Sequence, residues 1–260
     1  FTRLLFRKMN GLYAGSDTDL KRFQKLAWVP LDKIHLTGNL KLDLDVGDQL
    51  SLEQKEDLFN EFGFRGDKKP IVLLGSSTWP GEEKALLKVY GDLREQIPGL
   101  RLLIVPRHAE RIDEIEPLLE QASFPYHVRS RGNVAKAGTE VYIADTTGEL
   151  KLLTELADLV FIGKSLPPNS GGQTPVEAAA LGKAMIFGPN MSNFRDISRR
   201  LVRAGAARKI KSKEELAQAI EELLNNPELR NQMGSKGASM IAASQGATGR
   251  TLKGIRSFLN

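Results

Sequence analysis

Residues Pro70–Val105 read PIVLLGSSTWPGEEKALLKVYGDLREQIPGLRLLIV, and the order of apolar runs in this stretch decides the fold. Pro70–Ser76 is an unbroken apolar run of strand length, Glu82–Ile97 carries apolar residues at helical spacing, and Arg101–Val105 is a second strand. A strand buried on both faces shows no polar alternation, so this β–α–β unit predicts a parallel sheet covered by helices on both sides. The rhythm continues outward with a helix over Glu110–Ala122, strands at Tyr126–Arg129 and Glu140–Ala144, a helix at Gly148–Ala157 and a strand at Leu159–Gly163. A helix at Pro175–Leu181, a strand at Ala184–Gly188, a helix at Asn193–Ala204, a short strand at Ala207–Ile210 and helices to the end complete it. The class is α/β, a doubly wound, Rossmann-like parallel sheet whose ligands sit at the carboxyl ends of the strands.

The first fifty residues do not share this rhythm. Leu12–Ser16 is a strand stub, Asp17–Leu26 a helix, Ile34–Lys41 an extended segment, and Asp43–Asp57 a polar linker with a lead-in helix. The division expected is residues 1–48 as the tail of a preceding domain and its connection, 49–245 as the sheet domain, and 246–260 as a C-terminal helix able to pack back on the preceding domain. The chain starts at Phe1 without a methionine, in a basic segment (Arg3, Arg7, Lys8) that reads as helix, and has no signal-peptide pattern. That start reads as a cut through a longer protein.

With no cysteine among 260 residues, disulfides, thiolate metal sites and a cysteine nucleophile are excluded. No apolar run approaches the roughly 18 residues of a membrane span. The net charge of +5 is modest, but Arg195, Arg199, Arg200, Arg203, Arg208, Lys209, Lys211 and Lys213 face only Asp196 in their stretch. Such a run is a solvated helix face or a point of attraction to an anionic membrane surface. Nucleic acid is not expected as a partner, because no aromatic-interleaved or helix-turn-helix pattern accompanies the charge.

Four loops follow strand ends and should open on one edge. The first, Gly75–Glu83, offers Ser77 and Thr78 either as helix caps or as donors to an anion at a helix N-terminus. In the second, Arg107 stands directly after a strand, where its forked donors suit phosphate or carboxylate, with His108 beside it; Arg111 can pair with Asp113 or Glu114. In the third, Thr146 and Glu149 fit a capping box that accounts for both, while Gly148, next to Thr147, would let a ligand approach the backbone closely. The fourth, Ser170–Glu177, has Gly171 and Gly172 in a tight turn, Pro175 at a first helical position, and exposed N–H groups suited to an anion. Thr174 and Glu177 fit a second capping box, and Glu177 could instead take both hydroxyls of a ribose. Glu149 and Glu177 stand at helix starts, where the dipole should lower their basicity. Asp17-Thr18-Asp19 and Asp43-Leu44-Asp45 mimic a metal-binding DxD but read as a helix start and a linker. The three histidines lack metal-ligand spacing.

Taken in order, these loops resemble the bacterial 3-deoxy-D-manno-octulosonic acid (Kdo) transferases of lipopolysaccharide synthesis. The landmarks are Thr37–Lys41, Ser77-Thr78 with Gly81-Glu82-Glu83, Pro106-Arg107-His108 with Glu110-Arg111, and Asp145-Thr146 with Gly148-Glu149. Gly171-Gly172 with Pro175 and Glu177, Ala180–Lys183, Phe187-Gly188-Pro189 and Asn193-Phe194 follow. The resemblance implies a GT-B architecture of two Rossmann-like halves, of which this chain would be mainly the donor-binding one. It implies transfer of Kdo from CMP-Kdo to the lipid A precursor at the cytoplasmic face of the inner membrane, with inversion and with no metal or other cofactor. In that pattern Arg107 meets donor phosphate or carboxylate, Gly148, Glu149 and the Gly171–Glu177 loop hold CMP, and the catalytic base belongs to the N-terminal half. The chain departs from the pattern where Gln173 and Thr174 replace histidine and asparagine, Thr147 a methionine, and Trp79 a frequent histidine. These departures leave two alternatives: a GT-B transferase using another nucleotide sugar, or a non-catalytic nucleotide-binding module.

Overall fold

The computed structural model describes residues 6, 8–26, 28–66 and 68–258; Arg3 and Arg7 of the basic start lie outside them. The chain divides into two compact units, Phe1–Asp45 with Met240–Asn260, and Val46–Ser239.

The smaller unit holds β1 (Leu12–Ala14), α1 (Asp17–Gln24) and β2 (Ile34–Leu36), with β1 and β2 pairing in parallel. Both DxD-like runs have local structural roles, the first as the opening turn of α1 and the second as a cap. Asp19 follows the N-cap Ser16, whose side chain accepts the Asp19 N–H. Asp43 accepts the N–H groups of Gly246 and Thr248 at the start of the C-terminal helix (Ala247–Arg256), which holds its carboxyl down at about 2.

The larger unit runs α2 (Leu52–Glu61), β3 (Ile71–Thr78), α3 (Glu82–Leu93), β4 (Leu100–Pro106), α4 (Ile112–Ala122), β5 (Tyr126–Val128), β6 (Val141–Ile143), α5 (Leu150–Leu156), β7 (Leu159–Ile162), α6 (Val176–Ala180), β8 (Ala184–Phe187), α7 (Arg195–Arg203), β9 (Ala207–Lys209) and α8 (Glu214–Leu224). The next helix, α9 (Pro227–Ala242), contains the boundary between units, and Ala247–Arg256 is α10. All seven strands are parallel, in the order β5-β6-β4-β3-β7-β8-β9. The expected doubly wound sheet is therefore present.

Its central strands are mostly apolar because helices cover both faces. Leu73, Leu102, Ile104, Val141, Ile143, Leu159, Phe161 and Ile186 form one core with Leu86, Ile115, Leu119 and Ile220 from the helices, all with 0–1% exposure. Each such side chain contributes about 1.5–3 kcal/mol relative to exposure, so the sheet centre is the rigid frame on which the edge loops stand.

From β3 the chain winds one way, through β4 to β6, and then returns to place β7 on the other side of β3. The order reverses between β3 and β7, and the loops leaving these two strands flank the crevice where such folds take ligands.

Candidate functional site

Two residues other than glycine take left-handed backbone at this crevice, Ser77 (φ 52) where β3 ends and Lys164 (φ 57) just past β7. Non-glycine residues held there carry strain that the surroundings must outweigh. Three contacts do so. Gly163 lets the two loops touch: a Cβ on it would stand 2.2 Å from the Ser77 carbonyl oxygen. The Lys164 ammonium sits 3.9 Å from the centroid of the Trp79 ring. Glu82, fully buried, accepts the N–H groups of Trp79 and Lys164 on one oxygen and those of Ser165 and Leu166 on the other.

Glu82 corrects the expectation for the first loop. The helix is capped neither by Ser77 nor by Thr78; its N-cap is left-handed Gly81, with no side-chain cap. Burial pushes the Glu82 carboxyl up while the four N–H groups pull it down. Thr78 is buried with its hydroxyl oxygen unpartnered, and its carbonyl accepts the Arg107 N–H and an Arg111 N–H. Arg111 pairs with Glu114, as one of the two expected acids, and also with fully buried Glu83 at 2.6 Å. It ties the second loop to the first.

Arg107 is exposed at the end of β4, and its guanidinium has no partner among the described residues. His108 is exposed as well, 3.7 Å from Glu110 and edge-on to Trp79. The two stand ready for a ligand without being held by one another.

The third loop is wired differently from expectation. The helix begins at Leu150, which makes Glu149 the N-cap residue rather than the third residue of a capping box, and it forms no side-chain cap. The Thr146 hydroxyl donates to the Glu149 carboxylate, whose other oxygen takes Arg129 at 3.1 Å. Arg129 also pairs with Glu61 and donates to the Asn133 carbonyl. Arg129 was missed in the sequence, although it follows β5 as Arg107 follows β4. Thr147 and Gly148 are exposed, with Gly148 at φ 90 and open space around it.

The fourth loop is closed by its own hydrogen bonds. The Gly172 N–H donates to the Lys164 carbonyl and the Gln173 N–H to the Gly163 carbonyl, so neither is available to an anion. Gly172 stands at φ 74, and a Cβ there would meet Met191 Sδ at 2.4 Å. Asn193 N–H binds the Gly171 carbonyl. The helix starts at Val176, one residue later than expected, after Pro175 at the N-cap. Thr174, one residue before the N-cap, accepts the Val176 N–H at 3.3 Å.

Glu177 takes no part in a capping box. Its half-buried carboxylate has no hydrogen-bond partner among the described residues, and burial raises its pKa against the opposing pull of Lys151. The expectation of lowered basicity at this helix start is overturned, because desolvation outweighs the dipole of a five-residue helix.

The structure thus brings all twelve expected residues to the carboxyl edge of one sheet, Ser77 and Thr78 at the end of β3, Glu177 in the first turn of α6, and the rest in the loops after β4, β6 and β7. Among the described residues no group of His, Cys, Asp and Glu could hold a metal ion, and no helix is long and apolar enough to cross a membrane. A cleft of about 640 Å³ opens at the opposite, amino edge between α2 and Lys183; none of the twelve lines it.

The profile of the family Glycosyl transferases group 1 matches residues 54–240. The 3-deoxy-D-manno-octulosonic acid transferase of Haemophilus influenzae is 33% identical over 92% of this chain and 55% of its own length. That of Chlamydia pneumoniae is 29% identical over 98% of this chain and 56% of its own. The chain spans about half the length of the curated relatives it matches. Among solved structures, the C-terminal CMP-Kdo binding domain of WaaA from Acinetobacter baumannii aligns with a TM-score of 0.65 at 26% identity, covering 72% of this chain and 95% of that one. Anabaena HepE in complex with UDP aligns at 0.61 and 15% identity, over 98% of this chain and 65% of that one, a likeness of fold.

Proposed function

Since the chain belongs to the group 1 glycosyl transferases and corresponds to the C-terminal half of a Kdo transferase, we propose that its larger unit binds CMP-Kdo for transfer of Kdo to the lipid A precursor. The observation that carries this reading is Glu177: a half-buried carboxylate with no hydrogen-bond partner among the described residues, at the carboxyl edge beside a turn that two glycines keep free of side chains. A carboxylate left so is offset by a ligand with paired hydroxyls, as a ribose has.

In this reading Glu177 takes the ribose, and Thr147 and Gly148 present open backbone to the cytosine. Arg107, His108, Ser77 and Thr78 stand near the phosphate. Gly171, Gly172, Gln173 and Thr174 wall the sugar side. Glu149 acts through Arg129, which fixes the loop. A monophosphate leaving group carries little charge, and Arg107 with Lys164 supplies cations for it without a metal ion. Transfer inverts the anomeric centre by direct displacement, and the base that deprotonates the acceptor belongs to the N-terminal half. Of the two candidates here, Glu149 is spent on Arg129 and Thr146, and Glu177 on the ribose. Residues 1–45 and the C-terminal helix would belong with that half. Arg200 and Arg203 of α7 supply attraction to the anionic cytoplasmic face of the inner membrane, where a lipid acceptor lies.

The test is a thermal-shift comparison of CMP, UDP and GDP, since a ligand bound only to the native state raises the melting temperature. A shift with CMP alone is the expected result. A shift with UDP or GDP in its place would mean that Gln173 and Thr174 have changed the donor, and no shift with any would remove the nucleotide reading.

A further inference from the structure

A second recess, of about 300 Å³, opens on the carboxyl edge beyond the glycine turn, lined by Ser170, Asn190, Ser192, Arg195, Arg199 and Lys209 among others, none of them acidic. Arg195 and Arg199 lie one turn apart on α7, and Lys209 ends β9, so three cations from two elements face one small space. Like charges so gathered repel one another unless an anion sits among them.

Five other arginines of this unit are matched to acids, Arg94 to Glu140, Arg111 to Glu83, Arg129 to Glu61, Arg131 to Glu116 and Arg208 to Glu222, whereas Arg107 at the crevice has no such partner among the described residues. Arg195, Arg199 and Lys209 form no ion pair among the described residues. The recess is also prebuilt. The Asn190 N–H donates to the Ser165 carbonyl, the Asn190 side chain to the Asn169 carbonyl at 2.7 Å, and the Asn193 N–H to the Gly171 carbonyl. Its wall is therefore held to the same loops that flank the crevice, and Ser170 on its rim adjoins the glycine turn at Gly171.

We propose that this recess is a second anion subsite, taking the carboxylate of the sugar acid carried by the nucleotide, distinct from the place of the nucleotide's own phosphate. It rests on the reading of the larger unit as a CMP-Kdo site and adds to it the element that tells a sugar acid from a neutral sugar. A carboxylate accepts the fork of a guanidinium through both oxygens, and Ser170, Ser192 and Asn190 offer neutral donors for adjoining oxygens. The small volume suits a carboxylate with its neighbouring carbons rather than a nucleotide.

The experiment is calorimetric titration of the 260-residue chain with CMP, freshly made CMP-Kdo and its carboxamide. The wild type, the Arg195→Gln/Arg199→Gln double variant and Lys209→Gln are compared, each checked by a melting curve. In the wild type CMP-Kdo should bind at least about tenfold tighter than the carboxamide. The double variant should keep CMP affinity within about twofold and lose that preference, and Lys209→Gln should lose part of it. A preference that survives in the folded double variant, or a carboxamide bound as tightly as the acid, overturns the subsite while CMP binding stands. The same holds if the variants lose only adsorption to phosphatidylglycerol vesicles, which would make the cluster a membrane contact. Absence of CMP binding by the wild type would instead remove the nucleotide reading and the subsite with it.

Discussion

Glu82 Oε1 accepts the backbone N–H of Ser165 at 2.9 Å, joining the loop that leaves β3 to the loop that leaves β7 across 83 residues of sequence. With Trp79, Lys164 and Leu166, four N–H groups converge on one buried carboxylate. An amide in its place would aim an NH2 group at two of those donors. Glu82→Gln should lower the unfolding free energy by roughly 2–4 kcal/mol and speed amide exchange at Trp79 and Ser165 more than in the sheet core. Unchanged exchange at both residues would show that the anchor is elsewhere.

Glu177 gives a pH prediction. Burial raises its pKa above the ordinary 4.5 in the free protein, and a ribose bound to the ionised form pulls it down again. CMP affinity should therefore be full above the raised pKa and decline as pH falls through it. Glu177→Gln should weaken CMP by on the order of 1–3 kcal/mol at neutral pH and flatten the profile. Calorimetric titration from pH 5 to 8 reads both, and a variant with the wild-type profile would exclude Glu177 from the ribose.

Arg107 has no partner among the described residues, so replacing it leaves no buried charge behind. Arg107→Ala should weaken CMP at least about tenfold while altering cytidine by less than about twofold, because a charge-assisted bond to phosphate is what it loses. Its melting temperature should stay within a degree or two. Equal losses for CMP and cytidine would place the phosphate away from β4.

Lys183 sets the stability profile in alkali. Its ammonium donates to the Glu155 and Ala157 carbonyls at the end of α5, and burial pulls its pKa from 10.5 to about 8. Between those values the native state binds fewer protons than the unfolded chain. Wild-type stability should then rise with pH from about 8 to 10.5, relative to Lys183→Met, by on the order of 1–3 kcal/mol. Denaturant titrations of both proteins across that range measure the difference, and parallel curves would exclude Lys183 as the titrating group.

What could be read in the sequence was whatever needs no knowledge of distant partners. The runs IVLLGS and LVFIG read as strands because they are short, rich in β-branched residues and bounded by turn residues, and a sheet covered on both faces buries such a run whole. Strand order was not legible, and with it went the purpose of Glu82, whose partners Lys164, Ser165 and Leu166 lie 82–84 residues away. The two T-x-x-E patterns show the reverse error. Both look like caps locally, yet Glu149 is taken by Arg129 and Glu177 has no hydrogen-bond partner among the described residues. Which carboxylate is free depends on what the fold brings beside it. Arg129 could have been found by the rule that found Arg107, a cation directly after a strand. The joint recess of Arg195, Arg199 and Lys209 could not, because β9 must first be laid beside β8.

The close approach of Gly163 to Ser77 has a consequence for how such a domain changes over generations. The path of the crevice loops is held by residues that face inward: Gly163 under Ser77, Gly172 against Met191, Glu82 among its four amides. Gln173 and Thr174, by contrast, are half-buried and exposed, and their side chains have no share in setting that path beyond one hydrogen bond. Mutation can therefore exchange these two positions one at a time without collapsing the cradle, whereas a methyl group added at 163 would close it in a single step. On the proposed reading of this edge as a donor site, donor preference is free to drift on a frame that is not, and a new specificity can be reached through intermediates that all still fold.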